Sequence, residues 1–102
     1  MEAVEPFMAL VIYSTTADAQ ARQGTNLAKI ASEKIRLLPG FLRSRILLSE
    51  DGKSLVTLTE WSDRSSFEQF RESEFGRAAV RLAADLHPQA FWLKEHATVD
   101  AP

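Results

Sequence analysis

A chain of 102 residues with a net charge of −2 forms one domain with a single modest core, from about residue 7 to residue 99, and offers no basic surface to nucleic acid. It contains no cysteine, which excludes disulfides, thiolate metal sites and cysteine nucleophiles. The longest apolar run, Phe7–Tyr13, is too short to cross a bilayer, and the acidic start lacks the basic region of a signal peptide, so we expect a cytoplasmic protein with no membrane contact.

The first two predicted elements are a strand and a helix. Phe7–Ser14 is apolar on both faces, which is typical of a central strand covered on both sides. The helical period of the apolar residues predicts a helix at least from Thr25 to Leu38. Gly24 lies inside the candidate helix, and because glycine has a low helix propensity, the pattern does not define the residue at which the helix begins. Pro39–Gly40 ends the helix, because proline lacks an amide donor and glycine adopts the conformations that follow a helix.

The next segment is typical of a β-hairpin. Phe41–Ser49 alternates in polarity, Asp51–Gly52 suits the positive φ angles of a tight turn, and Leu55–Trp61 returns as the second strand. The alternation predicts two faces for the first of these strands, one with Leu42, Ile46 and Leu48 and the other with Phe41, Arg43, Arg45 and Leu47.

Two helices and a strand complete the chain. Ser62 or Asp63 is the predicted cap of a short helix that carries two phenylalanines. A second helix is indicated by an apolar stripe of Phe75, Ala78, Ala79, Leu82, Ala83 and Leu86. His87–Pro88 ends this helix, and Ala90–Val99 is the predicted last strand.

The predicted order, βαββαβ, corresponds to a ferredoxin-like α+β fold with an antiparallel sheet and both helical layers on one face. The strands, however, are apolar on both faces: Val56 and Leu58 point away from Leu55 and Trp61. A bare second face would expose more apolar surface than a monomer normally does. We therefore expect a homodimer in which two copies pack these faces together.

Several short features resemble a known family: Pro39-Gly40-Phe41, the Asp51–Gly52 turn, Glu60–Trp61 at the end of a strand, and an aromatic at Phe67. Together they resemble the antibiotic-biosynthesis monooxygenases over about residues 7 to 99, which implies a dimeric α+β barrel. The nearest resemblance is to the anthrone-type oxygenases of aromatic polyketide pathways, such as that of actinorhodin. This resemblance implies oxidation of a phenolic ring to a quinone by molecular oxygen, without metal, flavin or haem.

The resemblance also implies candidate site residues. The polyketide oxygenases have a Trp at the strand end, matched by Trp61, and an Arg on a following helix, matched by Arg81. Phe67 stands where they have a Tyr, and Thr57 stands where they have an Asn, so two hydrogen-bonding groups differ. The haem-degrading branch of the family resembles this chain less, because Arg71 stands in place of its His and the first strand lacks its Asn.

Cofactor-free oxygenation requires a dry cavity, an orienting hydrogen-bond donor and stabilisation of charge. The candidates for the catalytic roles are the indole N–H of Trp61 and the guanidinium of Arg81, and Thr57 could orient a ring oxygen of the substrate. Each has a structural alternative. A Trp at a strand end is commonly a core residue, and Arg81 could form an ion pair with Asp85 one helical turn later.

The histidines are the other candidates for proton transfer. His87 precedes a proline in a turn. His96, on the predicted last strand and on the same face as Trp92, is a candidate for substrate binding together with Phe67. No spacing of His, Asp and Glu indicates a metal site.

Two functions of different classes fit these observations. The first is a homodimeric, cofactor-independent monooxygenase that acts on a phenolic or polyketide-like aromatic with molecular oxygen. The second is a non-catalytic dimeric domain of the same fold that binds a ligand or a partner, and it follows from the altered residues Thr57 and Phe67. A cavity of roughly 300 Å³ or more beside Trp61 would favour the enzyme.

Overall fold

The computed structural model describes residues 6–102, except for the side chain of Leu82. The acidic segment 1–5, which contributes to the expectation about a signal peptide, lies outside the described residues. The elements in chain order are β1 (Phe7–Ser14), α1 (Gln20–Glu33), a 3₁₀ turn (Ile35–Leu37), β2 (Phe41–Leu48), β3 (Ser54–Trp61), α2 (Arg64–Glu72), α3 (Glu74–Ala83), a second 3₁₀ turn (Ala84–Leu86) and β4 (Gln89–Leu93). This order confirms the predicted βαββαβ arrangement.

The four strands form one antiparallel sheet with the order β2-β3-β1-β4. β1 lies between β3 and β4 and is therefore a central strand, as predicted. Ala9, Val11 and Tyr13 face the helices, whereas Met8, Leu10 and Ile12 lie on the face that the helices leave uncovered, so the helices cover only one side of this strand. Phe7 pairs with Trp61 at one end of the β1–β3 ladder, and Ser14 pairs with Ser54 at the other. No helix within residues 6–102 has the length and apolar character needed to cross a membrane.

Helix α1 begins at Gln20, which agrees with the prediction of a helix at least from Thr25 and with Gly24 inside it. The predicted end at Leu38 is wrong, because α1 ends at Glu33. Gly24 is a close-packing residue inside the helix. A β-carbon at this position would lie 3.0 Å from the side chain of Leu48 and 3.4 Å from that of Leu55. Glycine therefore lets α1 approach the sheet closely, and this contact outweighs its low helix propensity.

The predicted faces of β2 are wrong at the start of the strand. A bulge shifts the register between Phe41 and Arg43, so that Phe41 pairs with Trp61 while Arg43 pairs with Glu60. The extra residue, Leu42, is 55% exposed instead of facing the core. A bulge places one additional residue in one strand and reverses the alternation before it. Phe41 therefore joins the helix-covered face.

Local side-chain chemistry defines the turn and the helix starts. Gly52 has a φ of 77° in the β2–β3 turn, as the Asp51–Gly52 pair predicts. Asp63, one of the two predicted caps, accepts a hydrogen bond from the backbone N–H of Ser66 at 2.8 Å and begins α2. Ser73 caps α3 in the same way by accepting from the N–H of Gly76 at 3.0 Å.

Strand β4 ends at Leu93, so the prediction of a strand over Ala90–Val99 is wrong in its second half. Its partner is β1, and the pairing ends with Met8 opposite Leu93. β1 begins at Phe7, so the chain beyond Leu93 has almost no neighbouring strand left to pair with. Residues 94–102 are exposed and not part of a strand, and His96 lies among them.

Candidate functional site

The helix-facing side of the sheet carries large side chains at its two ends and small ones between them. Phe7 pairs with Trp61 at one end, and Tyr13 pairs with Leu55 at the other. The cavity-lining strand residues between these ends are Ala9, Val11, Ser44, Ile46, Thr57, Thr59, Ala90 and Trp92, and the large ring of Trp92 packs against Phe67 at the aromatic end. Most of these side chains are too short to reach the helices, so space remains above the middle of the sheet.

This space is a cavity of about 760 Å³ between the sheet and the helices. Helix α3 contributes small residues to its wall, namely Gly76, Ala79 and Ala83, and α1 contributes Leu27, Ile30 and Ala31. The volume is within the range of small-molecule binding sites and well above the roughly 300 Å³ that would favour an enzyme. The surfaces that line it are mainly apolar, as is usual for sites that bind organic ligands.

Trp61 forms the aromatic end of the cavity. Its side chain is 1% exposed, and its ring stacks on that of Phe70 with centroids 5.3 Å apart. Edge contacts join it to Phe41 at 5.7 Å and to Phe67 at 6.3 Å. Trp61 is therefore a core residue and also part of the cavity wall, so the two predicted interpretations of this residue are compatible.

The middle of the cavity floor carries hydroxyl groups on neighbouring strands. The hydroxyl oxygens of Ser44 and Thr59 are 2.9 Å apart and share a hydrogen bond. Thr57 lies one pleat further along β3 on the same face, at the position diagonal to Tyr13 on β1. Burial raises the pKa of Tyr13, and the nearby Thr57 hydroxyl lowers it by a smaller amount. A tyrosine phenol is protonated at neutral pH without any shift, so Tyr13 is neutral there.

Two charged residues border the cavity, one near each end. The guanidinium of Arg71 lies over the ring of Trp92, 5.7 Å from its centroid, and Trp92 in turn contacts Phe67 at 4.9 Å. Asp85 lies at the other end, where it also lines a smaller pocket with Ser14. Among residues 6–102, no group of three or more His, Asp and Glu side chains is arranged to hold a metal ion.

The structure brings together some of the predicted site residues and separates others. Trp61, Thr57 and Phe67 all line the cavity. Arg81 and His96 are exposed and lie outside the cavity lining. The only ion pairs within the described part of the chain are Arg43–Glu60 and Arg64–Glu68, so the alternative in which Arg81 pairs with Asp85 is wrong. The helix ends at Ala83 and continues as a 3₁₀ turn, which breaks the helical spacing that this pair requires.

Seven polar or charged residues that line the cavity were not among the predicted site residues: Tyr13, Gln23, Asn26, Ser44, Thr59, Arg71 and Asp85. The strand alternation contained the signal for two of them, because Tyr13 shares a face with Phe7, and Thr59 shares a face with Trp61 and Thr57. The position of Ser44 depends on the bulge in β2, and that of Asp85 depends on the end of α3. These two positions require the tertiary structure.

Comparison with known proteins gives a consistent result. A putative antibiotic biosynthesis monooxygenase from Nitrosomonas europaea superposes with a TM-score of 0.74 at 16% identity, covering 94% of this chain and 95% of that one. SnoaB, a cofactor-independent oxygenase from Streptomyces nogalater, gives 0.71 at 16% identity, with 98% and 99% covered. The ActVA-Orf6 monooxygenase of Streptomyces coelicolor, in complex with nanaomycin D, gives 0.67 at 19% identity, with 99% and 96% covered.

At these identities the structural matches show a shared fold. No curated protein matches the chain significantly. The sequence profile of the antibiotic biosynthesis monooxygenases matches residues 6–82, which is most of the chain and includes β1 to α3. The chain therefore belongs to the antibiotic biosynthesis monooxygenase family.

Proposed function

We propose that this protein is a cofactor-independent monooxygenase that oxidises a phenolic, polyketide-like aromatic substrate to a quinone with molecular oxygen. The observation that carries the proposal is the cavity of about 760 Å³, which has aromatic rings at one end and hydroxyl groups along its floor. Membership of the monooxygenase family supports the reaction class. The similar fold of SnoaB, described as a cofactor-independent oxygenase, supports the cofactor-free chemistry.

The proposed reaction converts the central CH₂ of an anthrone and one O₂ into a carbonyl and one water. The substrate first loses a proton to give a delocalised anion, and the anion passes one electron to O₂. The resulting substrate radical and superoxide combine to a hydroperoxide, which eliminates water and leaves the quinone. The protein supplies exclusion of bulk water, fixed orientation of the ring and stabilisation of the anion.

In our proposal, each of these tasks is performed by a different cavity residue. The Trp61 indole N–H donates a hydrogen bond to a substrate or peroxide oxygen, and Thr57 orients a ring oxygen. Phe67 packs on the face of the substrate rings. The role of Arg81 stays a prediction from the resemblance, and that of His96 stays a prediction from the sequence pattern, since both residues lie outside the cavity lining.

The test is oxygen uptake by metal-stripped protein with dithranol or another anthrone, measured above the spontaneous oxidation of the same compound. We expect one O₂ consumed per anthrone, with the quinone appearing at the same rate. The absence of enzyme-dependent uptake across a panel of anthrones and hydroquinones would contradict the proposal. Treatment with a chelator should leave the rate unchanged.

A non-catalytic binding domain is the second candidate function. The observation in its favour is that the cavity hydroxyls of Ser44 and Thr59 already form a hydrogen bond with each other. Phe67 also provides no phenol at the position where the polyketide oxygenases have one. Tight binding of a hydroxylated anthraquinone without any oxygen uptake from the matching anthrone would favour this candidate.

We further propose that the protein is a homodimer formed through the sheet face that the helices leave uncovered. This face exposes Leu47 by 41%, Phe91 by 47% and Leu93 by 37%, and Leu10 and Leu58 lie between them on the central strands. Arg43, Arg45 and Glu60 lie on the β2 side of this face, so its apolar surface runs mainly across β1, β4 and the adjoining part of β3. A two-fold axis covers this surface with its own copy, because the same patch then faces itself.

The location that we propose is the cytoplasm. A chain with no cysteine gains nothing from an oxidising compartment, and its composition fits a reducing one.

A further inference from the structure

The cavity has a polar end opposite Trp61, and its central group is the chain's single tyrosine. Tyr13 is the second-last residue of β1, on the cavity face. It pairs with Leu55, so Thr57 is its diagonal neighbour on β3, and both residues line the cavity. Tyr13 and Thr57 thus form a neighbouring pair of hydroxyl groups on two central strands.

The surroundings of this pair are polar but contain no cation. Gln23 and Asn26 of α1 line the same part of the cavity, and Asp85 borders it from the turn after α3. The carboxylate of Asp85 disfavours an anionic ligand group at this end. The chemistry here therefore suits a neutral oxygen, either a carbonyl or a hydroxyl group. The cation that borders the cavity, Arg71, lies at the aromatic end beside Trp92.

The spacing matches an elongated ligand. Thr57 and Trp61 are four residues apart on one strand face, or about 13 Å along the sheet. Fused rings can occupy the space between them, with an apolar edge against Trp61 and Phe67 and an oxygenated edge at Tyr13. The small residues Ala9 and Ala90 leave the floor between the two ends free for a flat ring system.

We propose that Tyr13, oriented by Thr57, is the residue that binds the oxygenated edge of the ligand and so determines its orientation in the cavity. The phenol O–H donates to a carbonyl or hydroxyl oxygen of a polycyclic aromatic, and Thr57 donates to the phenol oxygen. A tyrosine phenol is protonated at neutral pH without any shift, so this donor is available there. The phenol that is missing at Phe67 is in this way supplied from the opposite wall. The choice of ligand class rests on the proposed function, whereas the placement of Tyr13 does not.

The test compares two probes, 1,8-dihydroxyanthraquinone and unsubstituted anthracene, on wild-type protein and on Tyr13→Phe. Binding is measured by quenching of the fluorescence of Trp61 and Trp92, which both line the cavity. We expect Tyr13→Phe to weaken binding of the dihydroxyanthraquinone about three- to tenfold, the usual effect of one hydrogen bond. Binding of anthracene should change less than twofold, because it has no oxygen to contact. Thr57→Val should show the same selective loss, smaller in size.

Three outcomes would overturn the inference: equal losses for the two probes, no loss for either probe, or failure of the wild-type protein to bind the dihydroxyanthraquinone. The absorbance of the single tyrosine gives an independent readout, since its spectrum should shift on binding of the hydroxylated probe alone. Leu37→Gln, a change at an exposed residue outside the cavity, serves as the control for general effects on stability. Selective binding without oxygen uptake from an anthrone would contradict the proposed function and leave the role of Tyr13 intact.

Discussion

The ring of Trp61 stacks on the ring of Phe70 with centroids 5.3 Å apart and planes inclined by 24°. This contact joins the end of β3 to α2 and holds the indole in one orientation at the cavity wall. A donor fixed in this way requires little reorganisation when charge develops on a bound substrate. The Trp61–Phe70 stack thus links the packing of the core to the proposed chemistry.

Trp61→Phe should separate the two roles of this residue. The variant keeps an aromatic ring but loses the indole N–H, so we expect kcat for anthrone oxidation to fall by about 10²-fold if that N–H stabilises the transition state. Phe70→Leu is the matched control, because it disturbs the stack without removing the donor. We expect it to lower the melting temperature clearly and kcat only slightly. Unchanged kcat in folded Trp61→Phe would show that the indole is structural.

Two variants, Arg71→Gln and Arg81→Gln, test which arginine contributes to catalysis: the one that borders the cavity or the one that the family resemblance implies. Both arginines are exposed, but Arg71 borders the cavity over Trp92, whereas Arg81 lies outside the lining. Because charge stabilisation weakens with distance, we expect Arg71→Gln to lower kcat/KM more, by about tenfold. The two variants should be measured side by side at low and high salt. A larger effect of Arg81→Gln would restore the role that the resemblance implies.

Gly76→Ala should destabilise the fold and deform the cavity. A β-carbon at position 76 would lie 2.0 Å from the carbonyl oxygen of Phe70, a backbone atom that cannot move without shifting α2. We expect a loss of about 2–3 kcal/mol in the free energy of unfolding, measured by urea denaturation. Arg77→Ala, one residue later and exposed, should change stability by less than about 0.5 kcal/mol. A neutral Gly76→Ala would mean that the α2–α3 junction is looser than its geometry indicates.

The proposed dimer predicts a mass of two chains in sedimentation equilibrium at micromolar concentration. Phe91→Lys places a charge on the uncovered sheet face and should shift the protein towards the monomer, since burying an unpaired charge is costly. Leu37→Lys introduces the same charge at an exposed position on the 3₁₀ turn after α1 and should leave the mass unchanged. A wild-type protein that sediments as a monomer would exclude this interface.

The cap of α2 predicts a defined dependence of stability on pH. The backbone N–H of Ser66 donates to the carboxylate of Asp63 and holds the pKa of this carboxyl below its usual range. A carboxyl with a lowered pKa in the folded state contributes stability above its unfolded pKa of about 3.9, and this contribution is lost as the pH falls through the folded pKa. Asp63→Ala should therefore cost more stability at pH 7 than near pH 3.

Asp63→Asn is the control for this pH dependence. It keeps a hydrogen-bond acceptor at the cap but does not titrate, so its difference from Asp63→Ala should stay constant with pH. Urea denaturation between pH 3 and pH 7 provides the comparison. A pH-independent effect of Asp63→Ala would mean that the charge of Asp63 has no part in the cap.

Local chemistry is the part of this protein that can be derived from the sequence by itself. The Asp51–Gly52 turn, the Asp63 cap and the end at His87–Pro88 of the 3₁₀ turn that follows α3 all follow from the conformations that single residues prefer. The strand and helix periods then determine the βαββαβ order and the apolar second face of the sheet. Trp61 and Thr57 could be placed on one face for the same reason.

The remaining features of the fold and the site depend on contacts between segments that are distant in the sequence. The bulge that turns Phe41 towards Trp61 depends on pairing with β3, and β4 ends at Leu93 because β1 offers little strand to pair with beyond Met8. The helix start at Gln20 depends on the close approach of α1 to the sheet. Strand register and the close packing of a helix on the sheet are properties of pairs of elements. The cavity and the adjacency of Tyr13 and Thr57 therefore exist only in the folded chain.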